Sequence, residues 1–189
     1  MTPIAAHYAL QTQKLIMSQQ LLVMVYFSAF HLVMFNGIIF WGASPHSINI
    51  FRLQKRKLTM ITNIRKKVPC CKLFSNLKIL TLQTQYIFLL LRFVCNNKDR
   101  YIWNLDIHGR NTRYGSDFHY PTSNLTVYHT STYYMGLKGF NSLPSYIKDK
   151  IQDIKQFRQL IKNFLYCNTF YTLDEYFNYN KKKTHYDDF

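Results

Sequence analysis

From Met1 to Lys98 the chain contains no Asp or Glu, against twelve Lys or Arg, and all nine acidic residues lie from Asp99 onward. A half-chain of that kind has no internal carboxylate to neutralise its cations, and at +12 it repels itself. An anionic partner is the simplest remedy, and two surfaces qualify: nucleic acid or an acidic membrane. The other twelve bases share the second half with the acids, giving +15 over 189 residues.

Residues 21–41 then constrain the first half further. They carry no formal charge over a length that matches a bilayer core. Ser18 can cap a helix there. As a transmembrane span it would hold the basic stretch from Arg52 to Lys67 on the cytoplasmic side. As a helix in a core it would be apolar all round, and Ser28, His31, Asn36 and Gly37 interrupt it in a way that favours the core. Apolar residues make up 48% of the chain and aromatics 17%, which argues against disorder. Six glycines and five prolines are too few for a turn-rich all-β fold. The length suits one core or two small helical lobes.

Periodicity predicts a mainly α protein. A turn at Gly42 to Pro45 leads to a helix capped by Ser47 and running to about Ile64. Ile50, Leu53, Met60, Ile61 and Ile64 fall on one face, with Arg52, Lys55 and Arg56 opposite. No acid stands at i+4 to pair with these bases. A second cluster, Arg65, Lys66 and Lys67, ends this helix before Pro69. A short helix over 70–77 follows, then an apolar helix from Leu82 to about Asn96, capped by Thr81, with Tyr86, Leu89, Leu90 and Phe93 on its core face. Residues 97–132 read as a long loop with one short strand at 125–128. Helices return at 131–141, at 151–165 with Lys155, Arg158 and Lys162 on the wet side, and at 173–179. The expected organisation is a basic thumb-like lobe at 1–98, a loop-rich linker at 99–130, a helical lobe at 131–180 and a polar tail at 181–189.

No enzyme chemistry assembles from these residues. Asp187 and Asp188 are an aspartate pair with no room for a returning strand, and an aromatic directly precedes them, so they do not suit a two-metal site. Cys95, His108, His119 and His129 lack the paired spacing of structural zinc ligands. Gly37, Gly42, Gly136 and Gly139 have the wrong neighbours for a phosphate-cradling loop. Neither catalytic residues, nor a cofactor, nor a metal site is expected. Cys70, Cys71, Cys95 and Cys167 are irregularly spaced and suggest a reducing compartment, residues 1–14 have no secretory pattern, and nucleus or cytoplasm is the expected location. The Asn124 sequon is read as chance. What survives is nucleic-acid binding through Arg52, Lys55, Arg56, Arg65, Lys66 and Lys67. Such cations suit phosphate contacts, which position a duplex without reading its bases.

Ordered short motifs then carry a resemblance. Tyr26-Phe27-Ser28, Phe30-His31, Gly37-Ile38-Ile39-Phe40-Trp41-Gly42 and Leu53-Gln54-Lys55-Arg56 are followed by Leu73-Phe74, Leu80-Thr81-Leu82, Gln85-Tyr86-Ile87 and Asn111-Thr112-Arg113. Asn141-Ser142-Leu143-Pro144, residues 157–165 and residues 170–177 complete the series. Together, over roughly 6–180, they resemble the region after the polymerase palm in reverse transcriptases of jockey-like non-LTR retrotransposons. The resemblance implies a helical thumb and C-terminal lobe of an RNA-directed DNA polymerase, which grip template–primer nucleic acid by its backbone. It places Gln54, Lys55 and Arg56 on the basic thumb helix, with Lys57 and Thr59 departing from an apolar residue and a base at those places. Lys57 therefore falls on the apolar face. The resemblance also implies that the palm and its catalytic aspartates are absent from these residues, and a palm-bearing segment in trans is one candidate partner. The alternatives are a small protein anchored by residues 21–41, and an inert remnant of a transposable element whose exposed apolar surface makes it aggregate.

Overall fold

The computed structural model describes residues 18–62, 74, 76–109 and 115–179. The chain is mainly α-helical; among these residues the only extended pairing is an isolated antiparallel bridge between Trp103 and Phe118. Two compact units are formed, Met1–Leu82 and Gln83–Phe189.

In the N-terminal unit, helix α1 (Gln19–Val25) continues through a π-helical stretch (Tyr26–His31) into α2 (Leu32–Phe35). Ser18 occupies the N-cap position of α1, but its side chain makes no capping bond. The buried residues Leu22, Tyr26, Phe30 and Met34 stand four apart. In an α-helix that spacing drifts about 40° per step; the wider π turn takes up the drift and keeps all four on the core side. Gly37, at φ 74°, then turns the chain into α3 (Ile38–Trp41), whose Ile38 is buried. The uncharged segment is thus broken after Phe35. No helix among the described residues is long and apolar enough to cross a membrane.

Helix α4 (Ser47–Thr62) buries Phe51, Gln54, Lys57, Leu58 and Ile61. Of the residues expected on its apolar face, Ile61 is buried, while Ile50, Leu53 and Met60 are half-buried. The face is rotated because a polar residue occupies its centre. Gln54 Nε2 donates to the Tyr26 hydroxyl at 3.1 Å and to the Leu80 carbonyl at 3.0 Å, and its Oε1 accepts from the Leu82 N–H at 2.9 Å. Polar positions are otherwise disfavoured in a core, and here every bond of the amide is used. The helix expected at 70–77 lies largely outside the described residues. Its described end, up to Leu77, is closed by Lys78 in the left-handed region (φ 51°) and by the Ile79 N–H donating to the Phe74 carbonyl at 3.0 Å, the geometry of a Schellman stop.

Helix α5 (Leu82–Asn96) has the expected bounds and leads into the C-terminal unit. Of its expected core face, Tyr86 and Leu90 are buried and Leu89 and Phe93 half-buried, while Ile87, Leu91 and Val94 are buried as well. Small residues stand opposite. A Cβ on Gly136 would stand 2.8 Å from Val94 Cγ2, and one on Gly139 3.8 Å from Leu91 Cδ2. Those glycines belong to α8 (Thr132–Asn141), whose N-cap Ser131 accepts from the Tyr134 N–H at 3.3 Å.

Between α5 and α8 lie a 3-10 turn (Lys98–Arg100), α6 (Asn104–His108) and α7 (Thr126–His129). The strand expected at 125–128 is therefore a single helical turn. Leu125 and Val127 are 70% and 81% exposed, so their alternation has no partner strand and no core to face. Parts of this region are anchored. Phe118 and Tyr101 are buried, and the Asn141 side chain both donates to the Phe118 carbonyl (2.8 Å) and accepts from its N–H (2.9 Å). Helix α5 packs on α8 within the unit Gln83–Phe189.

After α9 (Ser145–Lys148), helix α10 (Ile154–Cys167) is capped by Asp153 and buries Phe157, Ile161, Phe164 and Leu165. Helix α11 (Leu173–Phe177) opens with a full capping box between Thr172 and Glu175. It ends two residues before the expected Tyr179, and buried Tyr176 donates to the Gly139 carbonyl at 2.7 Å.

Candidate nucleic-acid interface

The structure brings Arg52, Lys55 and Arg56 onto α4, on the side away from its core. Arg52 and Arg56 are exposed and one turn apart. Each stands two residues from Gln54, so each projects roughly 160° around the helix from it. Arg52 Nη1 leans on Asn49 Oδ1 at 3.4 Å. Lys55 is half-buried, with its ammonium 4.5 Å from the centroid of the Phe51 ring, a cation–π distance that leaves the positive charge in place. Arg65, Lys66 and Lys67 lie outside the described residues.

Two neighbours on α4 do not face outward. Gln54 is fully buried as the hub described above, and Lys57 is 1% exposed. Lys57 Nζ lies 5.2 Å from the Phe30 ring centroid, and burial holds its pKa below the ordinary lysine value. Two neighbouring positions on the helix differ in their surroundings. Lys57 lies on the buried side of α4. Thr59 donates its hydroxyl to the Lys55 carbonyl at 2.9 Å. The role of Gln54 had no local signature, since its partners lie 26 and 28 residues away in sequence.

The outer faces of this helix pair differ in kind. Helices α1 and α2 present Leu21, Met24, Leu32 and Val33 to solvent, opposite the stripe that packs on α4 through Tyr26 and Phe30. On α4, exposed Ile48 stands one turn before Arg52, so its basic side carries an apolar residue as well. His31 is half-buried among the rings of Tyr26, Phe27 and Phe35, and desolvation lowers its pKa.

Among the described residues no three His, Cys, Asp or Glu side chains converge on a place that could hold a metal ion. Cys95 is buried, with its thiol pKa pushed up by that burial, and Cys167 is exposed. Cys70, Cys71 and the Asp187–Asp188 tail lie outside the described residues.

The described geometry defines a mainly helical protein with a one-sided basic helix on an acid-free unit. No family model, no curated protein and no solved structure matches the chain.

Proposed function

We propose that this chain is the thumb and following region of a jockey-like non-LTR retrotransposon reverse transcriptase, a fragment that grips template–primer nucleic acid through its phosphates and has no catalysis of its own. The observation that carries this reading is the outward pair Arg52 and Arg56 on a rigid helix. The unit around them has ten Lys or Arg and no carboxylate: the twelve bases up to Lys98, less Arg92 and Lys98. Charge fixed on a helix is what backbone contacts require, and such contacts carry no sequence preference.

The test is binding of a short labelled RNA–DNA hybrid as a function of salt. If about five phosphates are neutralised, log K falls against log salt with a slope near −4 to −5, and Arg52→Gln with Arg56→Gln makes that slope shallower by about 2. An affinity independent of salt, or no affinity for hybrid or DNA duplex, would overturn the proposal. The origin is tested separately by the genomic frame upstream of Met1. It should encode palm-like strands around an aromatic-x-Asp-Asp, intact or interrupted; an unrelated promoter there would remove the retrotransposon reading.

A further inference from the structure

A second set of cations, in the C-terminal unit, is held in place without being neutralised. At the end of α5, the side-chain oxygen of Asn96 accepts from Nη2 of Arg158 on α10 at 2.8 Å. Just beyond, Lys98 donates its ammonium to the side-chain oxygen of Gln152, in the turn before α10. Both acceptors are neutral amides. They fix where the cations stand and leave the charge intact, whereas an Asp or Glu at either place would cancel it. Among the described residues the one ion pair is Lys148 with Asp117, so no described carboxylate takes either cation. Asp153, the N-cap of α10, accepts the backbone N–H groups of Lys155 and Gln156 on its Oδ1, and Asp99 is exposed beside Lys98.

Other observations bear on the same place. Nε of Arg158 is buried with no hydrogen-bond partner among the described residues, while its Nη2 is held by Asn96. The thiol of Cys95 feels both Arg158 and Lys98 against its dominant desolvation, so both charges stand around the last turn of α5. Lys155 and Lys162, one turn to either side of Arg158 on α10, are exposed, and the Lys162 ammonium lies 6.0 Å from the Tyr166 ring centroid.

We infer that this patch, centred on Lys98 and Arg158, is a second contact surface for the phosphodiester backbone of nucleic acid, carried by the C-terminal unit. It shares its class of ligand with the α4 face but does not depend on that face. Amide-held cations set phosphate spacing at little entropic cost on binding, because their side chains are already ordered.

The deciding variants put carboxylates where the amides are. Asn96→Asp and Gln152→Glu preserve shape and convert each contact into an ion pair, so thermal stability should hold or rise. Binding of the full chain to the labelled hybrid should weaken at once, with the salt slope shallower by about 2 in the double variant. A purely structural role for these contacts predicts the opposite, better packing and unchanged binding. Wild-type slope and affinity in the folded double variant would overturn the inference. Should the double variant melt early, Lys155→Gln with Lys162→Gln, both on exposed positions, carries the same test. The α4 reading fails or stands independently. Loss of binding in Asn96→Asp/Gln152→Glu with none in Arg52→Gln/Arg56→Gln supports this patch and removes the α4 face; the reverse removes this patch and leaves the α4 face.

Discussion

The side-chain amide of Gln54 donates to the hydroxyl of Tyr26 at 3.1 Å, with both residues shut away from solvent. The same amide also bonds the Leu80 carbonyl and the Leu82 N–H. One side chain thus ties the π-helical stretch, α4 and the entry to α5 together. Gln54→Leu keeps the volume but strands a hydroxyl, a carbonyl and an N–H, and a buried unmade bond costs about 1–3 kcal/mol. We expect a loss of at least about 3 kcal/mol in urea denaturation, against about 1 kcal/mol for Tyr26→Phe. Equal effects for the two variants would show that the hydroxyl, not the amide, is the centre of the network.

Lys57 predicts a distinctive dependence on pH. Its folded-state pKa lies below the ordinary value of 10.5, and the cause is burial. The sign follows from proton binding: the unfolded chain binds the lysine proton more tightly than the folded one, so stability rises with pH. The penalty is complete below the lowered folded value and vanishes once pH exceeds 10.5. Lys57→Met removes a buried charge and places an apolar side chain on a buried face of the helix. The variant should be more stable than wild type by on the order of 1 kcal/mol at low pH. The difference between the two curves should shrink as pH climbs toward the ordinary lysine range. A difference that stays flat with pH would mean that Lys57 packs without a charge penalty.

Much of this architecture is legible in the sequence where one rule decides. The ends of α5 and α8, and the departure of Lys57 onto a buried face, follow from periodicity and capping. Hydrophobic periodicity fails where the deciding contact is polar or small. It cannot see that Gln54 belongs in the core, nor that Gly136 and Gly139 draw Val94 and Leu91 inward. It reads Leu125 and Val127 as a strand because alternation is all it measures, while the chain closes a single helical turn with both side chains in solvent. Of the candidate site, Arg52 and Arg56 stand out from the missing acids alone. Lys98 and Arg158 do not, because they are 60 residues apart and meet only through Asn96 and Gln152.

Asn141 closes the region between α5 and α8 much as a neighbouring strand would, pairing both backbone groups of Phe118. Its backbone carbonyl separately accepts from the Lys148 ammonium at 2.8 Å. Asn141→Asp keeps size and shape but can no longer donate, and it faces the Phe118 carbonyl with a negative charge. A loss of about 2 kcal/mol is expected, together with faster amide exchange at Phe118 and His119. Asn141→Ser, which removes both bonds and adds no repulsion, should be the milder change. If both variants exchange at wild-type rates, the clamp is not what holds Phe118.

Gly136 and Val94 give the sharpest test of the packing between α8 and α5. Gly136 is helical, and it has no positive φ to defend. Considered alone, Gly136→Ala should stabilise by about 1 kcal/mol through helix propensity. The new Cβ, however, would stand 2.8 Å from Val94 Cγ2. A β-branched side chain has one strongly preferred rotamer in a helix and cannot swing aside, and overpacking a core costs about 1–3 kcal/mol. The overlap should win, leaving Gly136→Ala less stable than wild type by about 1 kcal/mol. Val94→Ala removes the obstructing methyl groups and opens a void, at about 2 kcal/mol by itself. In the double variant the alanine methyl fills part of that void and the propensity gain returns. The double variant should therefore be more stable than the sum of the single changes by at least about 1 kcal/mol. Strict additivity in denaturation midpoints would mean that the two helices stand farther apart than this contact requires.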